Sequence, residues 1–200
     1  MIDIKSISFS RGKHQIYNDF SAQLHIGEAV LLTGSNGAGK STLVQLVGGV
    51  LKPHLGTIEI DGENITKISS REQASLRSVA PQRRSFTLAF TVRQVLEFVP
   101  KKLRVKEISS LISQLGLSDL LEKKVTELSI GQQERVSLAL ALSQESRYYL
   151  LDEPFSAQDS ESISRILQII TEIKKEKGVL VISHKQDALL EYFDRVINLA

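Results

Sequence analysis

Apolar and polar positions alternate where the chain begins. Ile2, Ile4, Ile7 and Phe9 carry the spacing of a half-buried strand, Arg11-Gly-Lys13 makes a turn, and Phe20, Ala22, Leu24 and Ile26 mark one face of a second strand. Gly27-Glu28 leads into Ala29-Val-Leu-Leu-Thr33, a short apolar run of the kind that forms a buried strand. Thr42-Leu-Val-Gln-Leu-Val47 then takes helical spacing, and Gly48-Gly49 and Pro53 end that helix. Thr57-Ile-Glu-Ile60 with Asp61-Gly62 reads as a strand and tight turn. Ser70 to Arg77 reads as a short helix, and Ser78-Val-Ala80 as a strand stopped at Pro81-Gln82.

From Thr91 to Leu121 the period is helical. Val92, Val95, Leu96 and Val99 space as one helix; Val105, Ile108, Leu111, Ile112 and Leu115 space as another, ended by Gly116. Gln132 to Ser143 is a further helix. Tyr148-Tyr-Leu-Leu151 is a buried strand that runs into Asp152-Glu153-Pro154, and a long helix over about 160–177 turns Ile163, Ile166, Leu167, Ile170 and Ile173 inward. Val179-Leu-Val-Ile182 and Asp194 to Leu199 supply two more strands. Strands that alternate with helices after residue 140 predict a parallel α/β sheet. The early strands are short and antiparallel in character, which predicts a separate antiparallel layer. The expected fold class is therefore α/β, with a mainly parallel nucleotide-binding core, an antiparallel β layer near the N-terminus and an inserted α-helical subdomain. One domain spans 1–200: 1–84 and 146–200 make the core with its β layer, and about 85–145 makes the helical subdomain.

Composition narrows the function. At 200 residues and 42% hydrophobic content the chain can bury a substantial core. A net charge of +2 calls for neither a nucleic-acid nor a membrane-surface partner. With no cysteine there is no disulfide, thiolate zinc site or cysteine nucleophile. The N-terminus lacks the plan of a signal peptide, and no apolar run approaches the roughly 20 residues of a membrane helix. A cytoplasmic protein is expected; any membrane-spanning part must come from another chain.

Chemistry concentrates at Gly34-Ser-Asn-Gly-Ala-Gly-Lys-Ser-Thr42, a phosphate-binding loop between the predicted strand and helix. Its glycines at 34, 37 and 39 let backbone N–H groups approach phosphate oxygens. Ser35, Asn36 and Ala38 complete the loop, and the helix that starts near Thr42 adds the positive end of its dipole. Lys40 suits the β- and γ-phosphates, and Ser41 suits Mg²⁺. Asp152 and Glu153 end an apolar strand, where adjacent carboxylates are costly unless a cation compensates them. Asp152 suits the metal shell and Glu153 the attacking water. Ser129-Ile-Gly-Gln132 reads both as a capping box and as an anion site, since a helix N-terminus offers free N–H groups.

The phosphate loop, Gln82 after a strand, Leu128-Ser-Ile-Gly-Gln132, Leu150-Leu-Asp-Glu-Pro154, Ser156-Ala-Gln-Asp159 and Ser183-His184 together resemble the ATP-binding cassette (ABC) ATPases, in family order and over essentially the whole chain. The resemblance implies two cassettes packed head to tail around two ATP molecules. It implies that Ser129, Ile130, Gly131 and Gln132 face the ATP of the partner subunit, that Gln82 touches Mg²⁺ and water, and that Glu153 is the general base. His184 is placed on the γ-phosphate, and Asp159 in the loop joining the two sites. Three departures stand out. Ile130 replaces a glycine, Gln158 replaces a leucine in what reads as a minor change, and Arg11 stands where an aromatic usually stacks on adenine. Its guanidinium plane could take that place, with Tyr17 or Phe9 as substitutes. The chain ends at Ala200, soon after its last strand, so no accessory regulatory domain is expected.

The implied function is the ATP-binding subunit of an ABC transporter, similar to importers of metal chelates, cobalamin or metal ions. It would act as a homodimer beneath separate membrane subunits, on the cytoplasmic face of the membrane, with Mg²⁺ as cofactor and no nucleic-acid partner. The apolar stretch Ser85-Phe-Thr-Leu-Ala-Phe90 suits a groove that receives a membrane partner's helix. Two alternatives fit the same motifs: a soluble ABC ATPase such as an iron–sulfur assembly factor, and a weakly hydrolysing, nucleotide-gated scaffold.

Overall fold

A computed structural model describes residues 1–82, 86–99, 108–184 and 189–199. The N-terminal part builds an antiparallel sheet from β1 (Ile2–Arg11), β2 (His14–Leu24), β4 (Leu55–Ile60) and β5 (Glu63–Asn64), in the order β2-β1-β4-β5. The second sheet is parallel throughout. It contains β3 (Ala29–Gly34), β6 (Arg77–Ala80), β7 (Tyr148–Asp152), β8 (Gly178–Ile182) and β9 (Arg195–Leu199), in the order β6-β7-β8-β3-β9. Both the antiparallel layer and the parallel core expected from the sequence are present.

The two-residue period of a strand divides the interior into two cores. From β3, β7 and β8, the residues Val30, Leu32, Tyr148, Leu150, Leu180 and Ile182 point to one side. There they meet the antiparallel layer and helix α1 (Lys40–Val47) through Ile2, Ile4, Ile7, Leu43 and Leu46. Their neighbours Ala29, Leu31, Tyr149, Leu151, Val179 and Val181 point to the other side, against the helices α3 (Val92–Leu96), α4 (Ile108–Gln114), α5 (Ile130–Leu142) and α6 (Ser160–Ile173). This is why the central strands read as continuous apolar runs: both faces are covered. A seven-residue helix, α2 (Ser70–Leu76), precedes β6 and carries no fully buried side chain.

Several boundaries differ from the sequence expectation. Pairing with β1 starts β2 at His14, six residues before the predicted apolar face, and leaves Ile26 outside the strand and exposed. Pairing partners, not alternation, decide where a strand starts. Helix α5 begins at Ile130 because Ser129 caps it. Helix α6 stops at Ile173, ahead of the turn through Glu176, and buries Ile169 as well, while Ile163 and Ile173 are only partly covered. Among the described residues, none between Pro81 and Arg147 joins either sheet. Val105 and Ser85 lie outside the described residues, as does Ala200.

The loops that follow β3, β6, β7 and β8 leave the parallel sheet at its carboxyl edge. They carry Gly34–Gly39, Pro81-Gln82, Glu153 and Ser183-His184 respectively. In open parallel sheets this edge is where ligands bind.

Candidate active site

Local geometry explains the glycines of the loop. Gly34, Gly37 and Gly39 all have positive φ, which glycine adopts without a side-chain clash. A Cβ on Gly34 would fall 2.4 Å from the Leu199 carbonyl oxygen, and one on Gly39 would fall 2.5 Å from Ile16 Cγ2. Tyr17, buried in the β layer, donates its hydroxyl to the Gly39 carbonyl at 2.8 Å and fixes the end of the loop.

Helix α1 then starts at Gly39 with no side-chain cap. The contrast is informative. Ser69, Thr91, Ser129 and Asp159 cap α2, α3, α5 and α6 with their side chains. At α1 the first N–H groups are left for a ligand, and an anion there gains from the helix dipole. Lys40 is buried and donates to the carbonyls of Gly34 and Ser35, both at 2.8 Å. Its ammonium is thereby held across the mouth of the loop.

Asp152 and Glu153 are both buried at the end of β7. Burial holds the Asp152 carboxyl above the usual aspartate range, against the opposing pull of a Ser41 hydrogen bond and the Lys40 charge. One of its oxygens, Oδ1, is buried with no hydrogen-bond partner. An oxygen-only donor set of Asp152 and the Ser41 hydroxyl, with unused lone pairs, suits a hard, hydrated cation such as Mg²⁺.

Glu153 is raised by burial first and by the neighbouring Asp152 charge as well, with His184 opposing. Its backbone is left-handed, at φ 56°, a conformation that costs a non-glycine residue roughly 1–3 kcal/mol. The Glu153 N–H donates to the Ile182 carbonyl at 3.1 Å, so β8 holds the bend. His184 Nε2 stands 2.9 Å from Glu153 Oε1 without hydrogen-bond geometry, so that contact strengthens only when the imidazole is charged.

A cavity of about 380 Å³ brings together Arg11, Asn36, Gly37, Gly39, Lys40, Ser41, Thr42, Gln82, Glu153 and His184. It is within the size range of small-molecule sites. Two further wall residues, His14 and Ile16, escaped the sequence reading. Their only signal was position, on the strand that faces the loop. Ser129, Ile130, Gly131, Gln132 and Asp159 do not line this cavity.

The base-stacking alternatives Tyr17 and Phe9 are corrected here. Both are buried, Tyr17 against the loop backbone and Phe9 edge-on to His54 at 5.1 Å, so neither can offer a ring face to a base. Arg11, at the cavity wall, is exposed and donates to Gln45 Oε1 at 2.6 Å.

A profile of the ABC transporter family matches residues 17–156. The hemin import ATP-binding protein of Bordetella avium is 34% identical over all of this chain and 82% of its own length. The chain belongs to the ABC transporter family. The chain is accordingly an ATP-binding and ATP-hydrolysing cassette. The methionine import ATP-binding protein of Brucella abortus is 33% identical over the whole chain, which spans 57% of that protein. In fold, the chain matches an ATP-binding cassette described as a dimer in a post-hydrolysis state bound to ADP and Pi. The TM-score is 0.85 at 23% identity, over 100% of this chain and 94% of the other. Among the described residues no helix is long and apolar enough to cross a membrane.

Proposed function

We propose that this chain is the ATP-hydrolysing subunit of an ABC importer, working as a homodimer on the cytoplasmic face beneath separate membrane subunits. The observation that carries the dimer is the separation of the motifs: phosphate loop, Gln82, Glu153 and His184 line the nucleotide cavity, and the signature residues do not. The head-to-tail arrangement brings Ser129, Ile130, Gly131 and Gln132 from the partner subunit over the γ-phosphate, with Asp159 at the seam. Ile130 is 72% exposed, ready to be covered. In this reading Lys40 and the α1 N–H groups bind the phosphates, and Ser41, Asp152 and Gln82 hold Mg²⁺, which would screen phosphate charge. Glu153 takes the proton of the attacking water. His184 faces the γ-phosphate.

Arg11 and His14 form the floor under the base. Arg11→Ala combined with His14→Ala should weaken ATP binding by about tenfold, one lost stacking platform being worth about 1–3 kcal/mol, while leaving inorganic phosphate binding unchanged. Titration with ATP and with phosphate separates the two contributions.

The membrane partner is supported by an apolar surface. Leu88 and Phe98 are 63% and 58% exposed, and Phe98 meets Phe90 edge-on at 5.2 Å. Contiguous apolar patches mark interaction sites, and in this reading these side chains belong to one. Phe98→Asp should remove the chain from membranes without changing its melting temperature by more than about 2 °C, since exposed substitutions cost little. The relative named for hemin points to metal-chelate cargo. In this reading the subunit does not touch the cargo, whose identity rests with the membrane partner.

The deciding experiment is to tag the chain in its native host, fractionate the cells and identify what stays bound in mild detergent. A polytopic membrane protein at near-equal stoichiometry supports the importer reading. A soluble complex, or no partner, overturns it in favour of an assembly factor.

A further inference from the structure

We propose that Gln158 and Glu134 form a clasp that positions Glu153, by tying the strained turn after β7 to the first turns of α5. The turn contains two left-handed residues that are not glycine, Glu153 at φ 56° and Ala157 at φ 49°. Each conformation persists only if its surroundings hold it. Within the turn the Ser156 N–H donates to the Glu153 carbonyl at 3.1 Å. Glu153 itself is tied to β8 by its N–H on the Ile182 carbonyl, and the side-chain ties from Ser156 and Gln158, further along the turn, go to residues 131–135. Ser156 Oγ donates to Glu134 Oε1 at 3.0 Å, and Gln158 Nε2 donates to Glu134 Oε2 at 3.2 Å and to the Gly131 carbonyl at 3.0 Å. Arg135 Nη1 donates to Gln158 Oε1 at 3.0 Å and to Ser162 Oγ at 3.2 Å, which extends the clasp to α6.

Packing makes the same connection. A Cβ on Gly131 would lie 2.4 Å from the Ala157 carbonyl oxygen, so helix and turn are in direct backbone contact. The amide of Gln158 is therefore not a neutral replacement for leucine. Leucine would fill a similar volume and make none of the three hydrogen bonds. Gln158 and Glu134 are positioning residues: neither lines the cavity at the phosphate loop, Glu134 borders an adjoining cavity that Asp152 and Glu153 also line, and their influence on Glu153 passes through the turn they hold. The clasp also joins Glu153's turn to the helix whose first residues face the partner's ATP, so movement of one moves the other. The inference rests on the reading of Glu153 as the hydrolytic base.

The test is Gln158→Leu, with Glu134→Ala and the double variant. Steady-state ATPase and backbone amide exchange at Ser156 are measured beside melting curves. The clasp predicts a kcat lower by about tenfold, KM for ATP within about twofold and Ser156 exchange faster by about tenfold, since an ångström-scale misplacement near the chemistry costs up to about 100-fold. The double variant should be no worse than the poorer single one, because both remove the same coupling. Parental exchange at Ser156 in Gln158→Leu overturns the proposal whatever the rates. Faster exchange with an unchanged kcat overturns it too. A parent chain that shows no turnover counts against the hydrolytic reading of Glu153, while the exchange measurement still decides the clasp.

Discussion

Lys40→Ala is expected to abolish measurable ATP binding. Lys40 is buried, sits at the first position of α1, and bridges two loop carbonyls at 2.8 Å. In the proposed site its ammonium would exchange those carbonyls for β- and γ-phosphate oxygens, so the lost contacts would be charge-assisted on both sides. Hydrogen bonds of that type are worth about 1.5–3 kcal/mol each, and losing two weakens affinity by roughly 100-fold or more. The α1 N–H groups remain and still favour an anion, so residual binding of inorganic phosphate is expected. Isothermal titration with ATP and Mg²⁺ measures the loss. Unchanged ATP affinity in a folded variant would mean that the nucleotide binds elsewhere. Removing the ammonium also frees two carbonyls, so a small drop in melting temperature of the nucleotide-free form should accompany it.

Most of this site was legible before any coordinates, for a physical reason. The phosphate recognition proposed for it would depend on backbone N–H groups, tight turns and a helix start, and each leaves a local signature: glycines where φ is positive, an uncapped helix, an apolar strand upstream. The capping box at Ser129 was equally legible because it involves neighbours three residues apart, and both of its hydrogen bonds form, at 3.3 and 3.0 Å. What the sequence hid depends on distant partners. His14 and Ile16 reach the cavity because β2 pairs with β1 from Arg11 onward. Tyr17 has the composition of a base-stacking residue, yet its hydroxyl is committed to Gly39. Gln158 read as a minor change because its partners, at Gly131, Glu134 and Arg135, lie more than twenty residues upstream. Local chemistry could be read from the chain; long-range hydrogen bonding needed the fold.

Glu153→Gln should separate binding from turnover. The amide keeps the size of the side chain and its place at the end of β7, so the phosphate loop, Lys40 and Ser41 are untouched and ATP should bind at least as tightly. It cannot accept the proton of the attacking water. Loss of a general base slows a reaction by about 10²–10⁴-fold, and with hydrolysis blocked the ATP-bound dimer should accumulate. Light scattering of the variant with Mg²⁺ and ATP reads the dimer, and phosphate release reads the rate. Turnover at the parental rate would require a different residue to orient the water.

The same substitution carries a stability signature whose sign follows from the site. Burial raises the Glu153 carboxyl above its ordinary value, with Asp152 adding to the shift and His184 opposing it. The folded protein therefore holds a proton that the unfolded chain has already released. The contribution to stability is present below the unfolded value and is lost as pH rises through the higher folded value. Once pH exceeds the raised folded values, the nucleotide-free parent bears two adjacent carboxylates that burial disfavours, and Glu153→Gln relieves one of them. Relief on the order of 1 kcal/mol would raise the melting temperature by about 2–4 °C for a chain of this length. The two proteins should converge as pH falls toward about 4, where the glutamate is protonated in both states. Mg²⁺ and ATP should narrow the gap at neutral pH, because a bound cation compensates the same carboxylates. A variant less stable than the parent at neutral pH would show that Glu153 is tied down by stabilising contacts, and that the strained turn is not poised for chemistry at a cost to the fold.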